Sequence, residues 1–132
     1  MKRALAVLLA LTMGANGVVM LLVGPWWYGA VPGVTMTGPF NPHFVKDIGA
    51  AYLMSGVGFV WFAATASAIS RGAAAMAALF LGLHALIHLT EAIGDPMGPA
   101  HLARDFAGVI LPAILGAWIV WPLHVPKEIR HA

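Results

Sequence analysis

The chain has no cysteine and very little charge. Charged side chains make up 9% of its 132 residues, whereas soluble domains carry about a quarter. The lack of cysteine excludes disulfides, thiolate metal ligands and thiol nucleophiles, which leaves His, Asp, Glu and Met as possible ligands. Because the seven basic residues lie mostly at the ends of apolar segments, they indicate membrane topology and no nucleic-acid partner.

Hydrophobic residues make up 61% of the chain and fall into four segments. Each segment has roughly the 20 residues that a helix needs to cross about 30 Å of hydrocarbon. The predicted helices are 4–24, 43–67, 72–93 and 101–121, followed by a polar tail at 122–132. In lipid only a helix satisfies its own backbone at this length, and the short connections favour antiparallel neighbours. We therefore predict one all-α domain over 1–132, an up-down bundle of four transmembrane helices in contact with the lipid bilayer.

The first segment has two possible interpretations. Met1, Lys2 and Arg3 precede an apolar run, which is also the pattern of a secretory signal that would be cleaved. The apolar stretch continues to Gly24 without a clear cleavage site, and its length of about 21 residues is sufficient to span the bilayer. We interpret it as the first transmembrane helix and keep a cleaved signal as the alternative.

The basic residues also predict the orientation. Five lie on one side of the predicted bundle and two on the other. The five are Lys2, Arg3, Arg71, Lys127 and Arg130, and the two are Lys46 and Arg104. Because cytoplasmic loops carry the excess of basic residues, both termini are predicted to lie in the cytoplasm. The natural setting is a bacterial inner membrane, with the first and third connections facing the periplasm.

The second and fourth segments open with a similar phrase. PFNPHFVKD at 39–47 aligns with PMGPAHLARD at 96–105 through one inserted residue, and an offset of 58 residues then places Gly58 on Gly116. The similarity predicts two parallel helical-hairpin repeats, related by an axis along the membrane normal. The phrase also has a structural explanation, since Asn41 is a good N-cap and Pro42 suits a first helical turn.

Seven titratable residues are predicted to share the outer half of the bundle. His84, His88 and Glu91 recur at i, i+4 and i+7, within an arc of about 60° on one helix face. The second and fourth helices add His43, Asp47, His101 and Asp105 near their starts. A charge at the bilayer centre costs of order 3 kcal/mol, so we expect these groups to converge in the interior. Lys46 and Arg104 are instead expected to reach lipid headgroups.

Three interpretations of this cluster are open. Imidazole and carboxylate suit Zn, Fe, Mn or Cu, so all seven residues are predicted metal ligands. Haem or quinone contact is less favoured, because His84 and His88 share a face and cannot be opposite axial ligands of one haem. The third interpretation is a hydrogen-bonded network in a structural or accessory subunit of a membrane complex. No hydrolytic or phosphate-binding motif is present, so the catalytic residues and enzymatic status are left open.

Four short helices, two hairpins and polar residues at the outer helix ends resemble the small DoxX-like and related bacterial membrane families. The phrase GPFNPHFVKDIG at 38–49 is also similar to the hallmark of a bacterial membrane family without a known activity. Some DoxX-like proteins are linked to quinone-dependent sulfur oxidation, so this architectural resemblance implies a redox role but no site residue. We predict a membrane protein that binds a transition metal or serves a redox partner, in contact with other membrane subunits or as a homodimer.

Overall fold

The computed structural model describes residues 1–121, and every regular element in that range is helical. The four long helices are α1 (Lys2–Ala30), α2 (Pro42–Thr65), α3 (Ala68–Ala92) and α4 (Gly98–Val120). A short 3₁₀ turn, Val34–Met36, lies between α1 and α2. Each long helix has the length and apolar composition needed to cross a membrane. The all-α prediction is confirmed for these residues, and the predicted polar tail lies outside them.

The first helix continues past its predicted end at Gly24. Pro25 lies inside it, and Val23 has non-helical angles of φ −134° and ψ 42°, so the helix bends at this point and then resumes. A proline removes one backbone donor and either ends or kinks a helix. The sequence pattern favoured an end, whereas the chain forms a kink and stays helical to Ala30. The connection to α2 is therefore shorter than predicted and covers residues 31–41.

The second helix begins at its predicted cap. The side-chain oxygen of Asn41 accepts hydrogen bonds from the backbone amides of His43 and Phe44, both at 3.1 Å. Pro42 occupies the first turn, where its missing amide hydrogen costs nothing. These contacts confirm the structural explanation of the phrase at 39–47.

Only two residues connect α2 with α3. Ala66 ends α2 in a left-handed conformation with φ 50°, and Ser67 caps α3 by accepting a hydrogen bond from the amide of Ser70 at 3.1 Å. The third helix therefore starts at Ala68, four residues before its predicted start at 72. We refer to the end of the bundle with this connection and Lys2 as the inner end, and to the opposite end as the outer end.

Glycines allow α1 and α2 to approach backbone to backbone. A Cβ on Gly17 would lie 2.6 Å from the carbonyl oxygen of Gly49, and one on Gly56 would lie 2.9 Å from the amide nitrogen of Gly14. Small residues are typical of membrane helix contacts, where close packing replaces the hydrophobic effect. Since the earlier glycine of α1 meets the later glycine of α2, the two helices are antiparallel.

The fourth helix contains a π-helical turn. Its parts are the α-helical Gly98–Asp105, the π-helical Phe106–Ile110 and the α-helical Leu111–Val120. The amide of Leu111 donates to the carbonyl of Phe106, five residues earlier. Pro112 follows and has no amide hydrogen for the carbonyl of Gly108, which gives the turn a local cause. The extra residue in this turn rotates Asp105 around the helix axis relative to the apolar segment Leu111–Val120.

The bundle combines a small apolar core with an apolar outer surface. Phe59 and Ile119 are fully buried, yet large side chains such as Leu22 and Ile69 are 77% and 74% exposed. Soluble monomers rarely expose so many large apolar side chains in contiguous patches. Together with the four membrane-capable helices, this surface indicates contact with lipid.

The two aligned glycines of the predicted repeat pack differently. A Cβ on Gly58 would lie 2.9 Å from the carbonyl oxygen of Ala73, and one on Gly116 would lie 3.3 Å from the Cβ of Ala78. Both contacts are on α3, although a two-fold relation between the hairpins would place the Gly58 contact on α1. These contacts give the repeat no support, and it stays a prediction.

Candidate functional site

Three of the seven predicted site residues meet inside the outer half of the bundle. His88 Nδ1 on α3 lies 2.8 Å from Asp105 Oδ2 on α4, and the rings of His84 and His88 are edge to face with centroids 4.9 Å apart. The side chains of Asp105 and His88 are 10% and 25% exposed. We call His84, His88 and Asp105 the histidine site.

Arg104 neutralises the carboxylate of the histidine site, which the sequence analysis did not predict. Its Nε lies 2.6 Å from Oδ1 of Asp105, and its Nη2 lies 3.0 Å from Oδ2. Neighbouring side chains diverge by about 100° around a helix, so this residue was expected to extend towards lipid. The long side chain instead folds back to its neighbour, because a two-pronged ion pair stabilises a carboxylate removed from water.

Tyr52 of α2 is a second residue that the sequence analysis missed. Its ring packs edge-on against His84, with centroids 5.8 Å apart, and against Phe80 at 5.3 Å. Phe80 in turn stacks on His84 at 6.1 Å. The spacing of Phe80 and His84 on α3 is visible in the sequence, but no spacing connects either residue with a tyrosine on another helix. The aromatic contacts extend the histidine site towards α2.

The connection between α1 and α2 covers the Arg104 end of the site. Gly33 has φ +88°, and a Cβ there would lie 2.4 Å from Cζ of Arg104. Nη1 of Arg104 also lies 3.9 Å from the sulfur of Met36. The left-handed backbone favours glycine at this position, whereas the neighbouring guanidinium is the end of a flexible side chain that could shift.

The other four predicted site residues lie apart from the histidine site. His43 and Asp47 pair with each other at 3.4 Å, with side chains 89% and 62% exposed. His101 pairs with Asp95 at 2.9 Å, and Glu91 is exposed. The expected convergence of all seven therefore holds for three of them. A shared level in the membrane does not determine which way a side chain faces around its helix axis.

Within residues 1–121, no group of three or more His, Asp or Glu side chains is arranged to hold a metal ion. Nδ1 of His88 is hydrogen-bonded to Asp105, which leaves Nε2 of that ring as the nitrogen available to a metal. Zinc sites usually have three or four protein ligands. Metal binding here would require a ligand from outside the described residues.

Apolar packing closes the site towards the inner end. Leu81, Ala77 and Phe59 are buried one to three turns further inward along α3 and α2. Ser55, the next polar side chain inward on α2, donates to the carbonyl of Ala51 in its own helix at 2.9 Å. Polar contacts therefore connect the histidine site with the outer end.

The hydrogen bond to Asp105 determines the chemistry of His88. A carboxylate at Nδ1 places the imidazole proton on that nitrogen and leaves Nε2 as a proton acceptor or metal ligand.

Comparison of the chain with protein-family models, curated proteins and solved structures returns no match.

Proposed function

We propose that the chain is an integral protein of a bacterial inner membrane whose histidine site exchanges protons with a membrane redox partner on the periplasmic side. The observation that carries this proposal is the 2.8 Å contact between His88 Nδ1 and Asp105 Oδ2, which joins α3 to α4. An up-down bundle with both termini in the cytoplasm is part of the proposal. The distribution of basic residues supports that orientation, and the DoxX-like resemblance supports a redox role.

Proton exchange fits the chemical character of the three groups. Histidine is the side chain whose ordinary charge change falls near neutral pH, and a carboxylate-oriented histidine is a common general base. Asp105 is already held by Arg104 through two hydrogen bonds, so it orients His88 while remaining ionised. A redox partner that gains or releases protons with its electrons can use such a group as its proton donor or its proton acceptor.

The apolar packing below the site supports exchange with one side only. A through-going proton path would require polar side chains or water across the whole bundle. Buried Leu81 and Phe59 lie inward of the site instead. The histidine site therefore exchanges protons with the outer end alone and is not part of a proton channel.

Transition-metal binding is the second candidate, and a specific contact favours it. Histidines at i and i+4 can hold one ion from a single helix, and ligating histidines commonly donate their other ring nitrogen to a carboxylate. His84, His88 and Asp105 have this arrangement. A bound molecule or partner subunit would supply the remaining ligands to Zn, Fe, Mn or Cu.

Nitrogen-15 NMR of histidine-labelled protein in lipid nanodiscs tests the first candidate. We expect the neutral ring of His88 to carry its proton on Nδ1, beside Asp105. Asp105→Asn should remove the tautomer preference. Asp47→Asn alters the exposed His43–Asp47 pair and should leave the His88 signals unchanged, which makes it the matched control. A neutral His88 ring with its proton on Nε2, or an unchanged His88 ring in Asp105→Asn, would contradict proton exchange at this site.

Metal content and thermal stability separate the remaining interpretations. If the site binds metal, His88→Ala should abolish stoichiometric metal in protein offered Zn, Fe, Mn and Cu in turn, while the protein stays folded. If the network is only structural, the same substitution leaves the partners of His88 unsatisfied and costs about 1–3 kcal/mol. Background metal in the unmutated protein would reject the second candidate.

A further inference from the structure

A cavity of about 240 Å³ lies beside the bend in α1, between this helix, Phe40 and the start of α2. It is lined by α1 residues that precede Pro25, by Pro25 itself, and by Phe40, Pro42 and Lys46. These residues belong to α1, to the following connection and to the start of α2. The histidine site is formed by α3 and α4, so the two sites share no residue.

Local structure shapes the cavity on two sides. Val23 leaves the helical conformation and Pro25 follows, so α1 bends beside the cavity. Tyr28 packs edge-on against Phe40, with centroids 5.4 Å apart, and its hydroxyl donates to the carbonyl of Gly38. Gly24 also lines the cavity. A Cβ there would make ordinary contacts with side chains only, the nearest at 3.4 Å from Val45.

Two polar groups belong to residues that line this cavity. Pro25 has no amide hydrogen, so the carbonyl of Leu21 lacks the donor that a regular helix would provide. Lys46 lines the rim and is exposed, and no carboxylate in the described part of the chain lies within ion-pair distance of it. The neighbouring Asp47 is engaged with His43. Lys46 is four residues into α2, about 6 Å from its start, which is the depth of lipid headgroups.

We propose that this cavity binds one anionic phospholipid from the leaflet at the outer end, with its phosphate at Lys46 and the upper part of one acyl chain in the cavity. Charge complementarity selects this occupant. An ammonium without a carboxylate partner among residues 1–121 favours a headgroup with net negative charge, whereas a zwitterionic headgroup carries its own cation. The apolar walls favour the acyl chain over a free anion.

The rim charge is tested by native mass spectrometry after exchange into bilayers that contain equal amounts of phosphatidylglycerol and phosphatidylcholine. We expect the unmutated protein to retain one phosphatidylglycerol per chain in preference to phosphatidylcholine. Lys46→Gln should lower this retention about fivefold, because one surface cation attracts anionic lipid by roughly this factor. Lys46→Arg retains the charge and should preserve binding. Equal retention of the two lipids, or an unchanged Lys46→Gln variant, would overturn the proposal.

The apolar part is tested by filling the cavity. Gly24→Leu should expel the lipid although Lys46 is intact, whereas Gly29→Leu, on the same helix and with nothing within 4 Å of its Cβ, should not. A melting curve checks that both variants fold. If Gly24→Leu does not fold, the comparison of Lys46→Gln with Lys46→Arg decides whether the lipid binds. Inorganic phosphate should not displace the lipid; displacement would mean that an anion alone occupies the site and would reject the proposal.

Discussion

Replacement of Gly17 by alanine is the sharpest test of the packing between α1 and α2. The new Cβ would lie 2.6 Å from the carbonyl oxygen of Gly49, 2.6 Å from the amide nitrogen of Leu53 and 3.0 Å from its Cα. All three are backbone atoms of α2, so no side-chain rotation relieves the clash. The two helices must separate, or the variant must unfold more readily.

The distances set the size of the effect. An ordinary contact begins at 3.4 Å, so the shortest contact must lengthen by 3.4 − 2.6 = 0.8 Å. A gap of this size forfeits about a quarter to a half of the dispersion energy of each affected atom pair. Overpacked cores lose about 1–3 kcal/mol, and the higher helix propensity of alanine returns up to about 1 kcal/mol. We expect a net loss of about 1–2 kcal/mol.

Reversible unfolding in mixed micelles, followed by circular dichroism, measures this loss. Gly14→Ala is the matched control, because it lies three residues earlier on the same helix and its Cβ would meet nothing within 4 Å. That variant should be as stable as the unmutated protein or slightly more stable. If Gly17→Ala unfolds at the same detergent fraction as Gly14→Ala, the backbone-to-backbone packing is refuted.

Two further predictions concern side-chain hydrogen bonds outside the histidine site, and a third concerns the topology. Asn41→Ala removes the acceptor for two amides at the start of α2 and should cost about 0.5–2 kcal/mol in the same assay, while Asn41→Ser should restore most of it. Asn16→Leu should cost about 1–3 kcal/mol, since it leaves the indole N–H of Trp27, now 2.9 Å from the Asn16 oxygen, without an acceptor; equal stability would show that this donor finds another partner. Topology reporters fused near Gly33 should read periplasmic and those at Arg71 cytoplasmic, and the reverse pattern would reject the proposed orientation.

The four helices were predictable because the information for them is local. A run of about 20 apolar residues must be helical in lipid, and the amide acceptor at Asn41 defines a helix start through its nearest neighbours in the chain. The helix ends were less predictable. The sequence around Pro25 fits a helix end and a bend equally well. In the folded chain α1 bends, and the indole of Trp27 in the following turn donates a hydrogen bond back to Asn16.

Helical spacing by itself determined that His84 and His88 share a face, because residues four apart on one helix are neighbours whatever surrounds them. Only the tertiary structure decided which residues of other helices contact this pair. Asp105 of α4, whose position around the helix axis depends on the π-helical turn, bonds to His88, and the ring of Tyr52 on α2 packs against His84. His43 has the same spacing from Asp47, yet that pair faces outward. The rotation of each helix about its own axis is set by packing against its neighbours, a long-range property that no local spacing encodes.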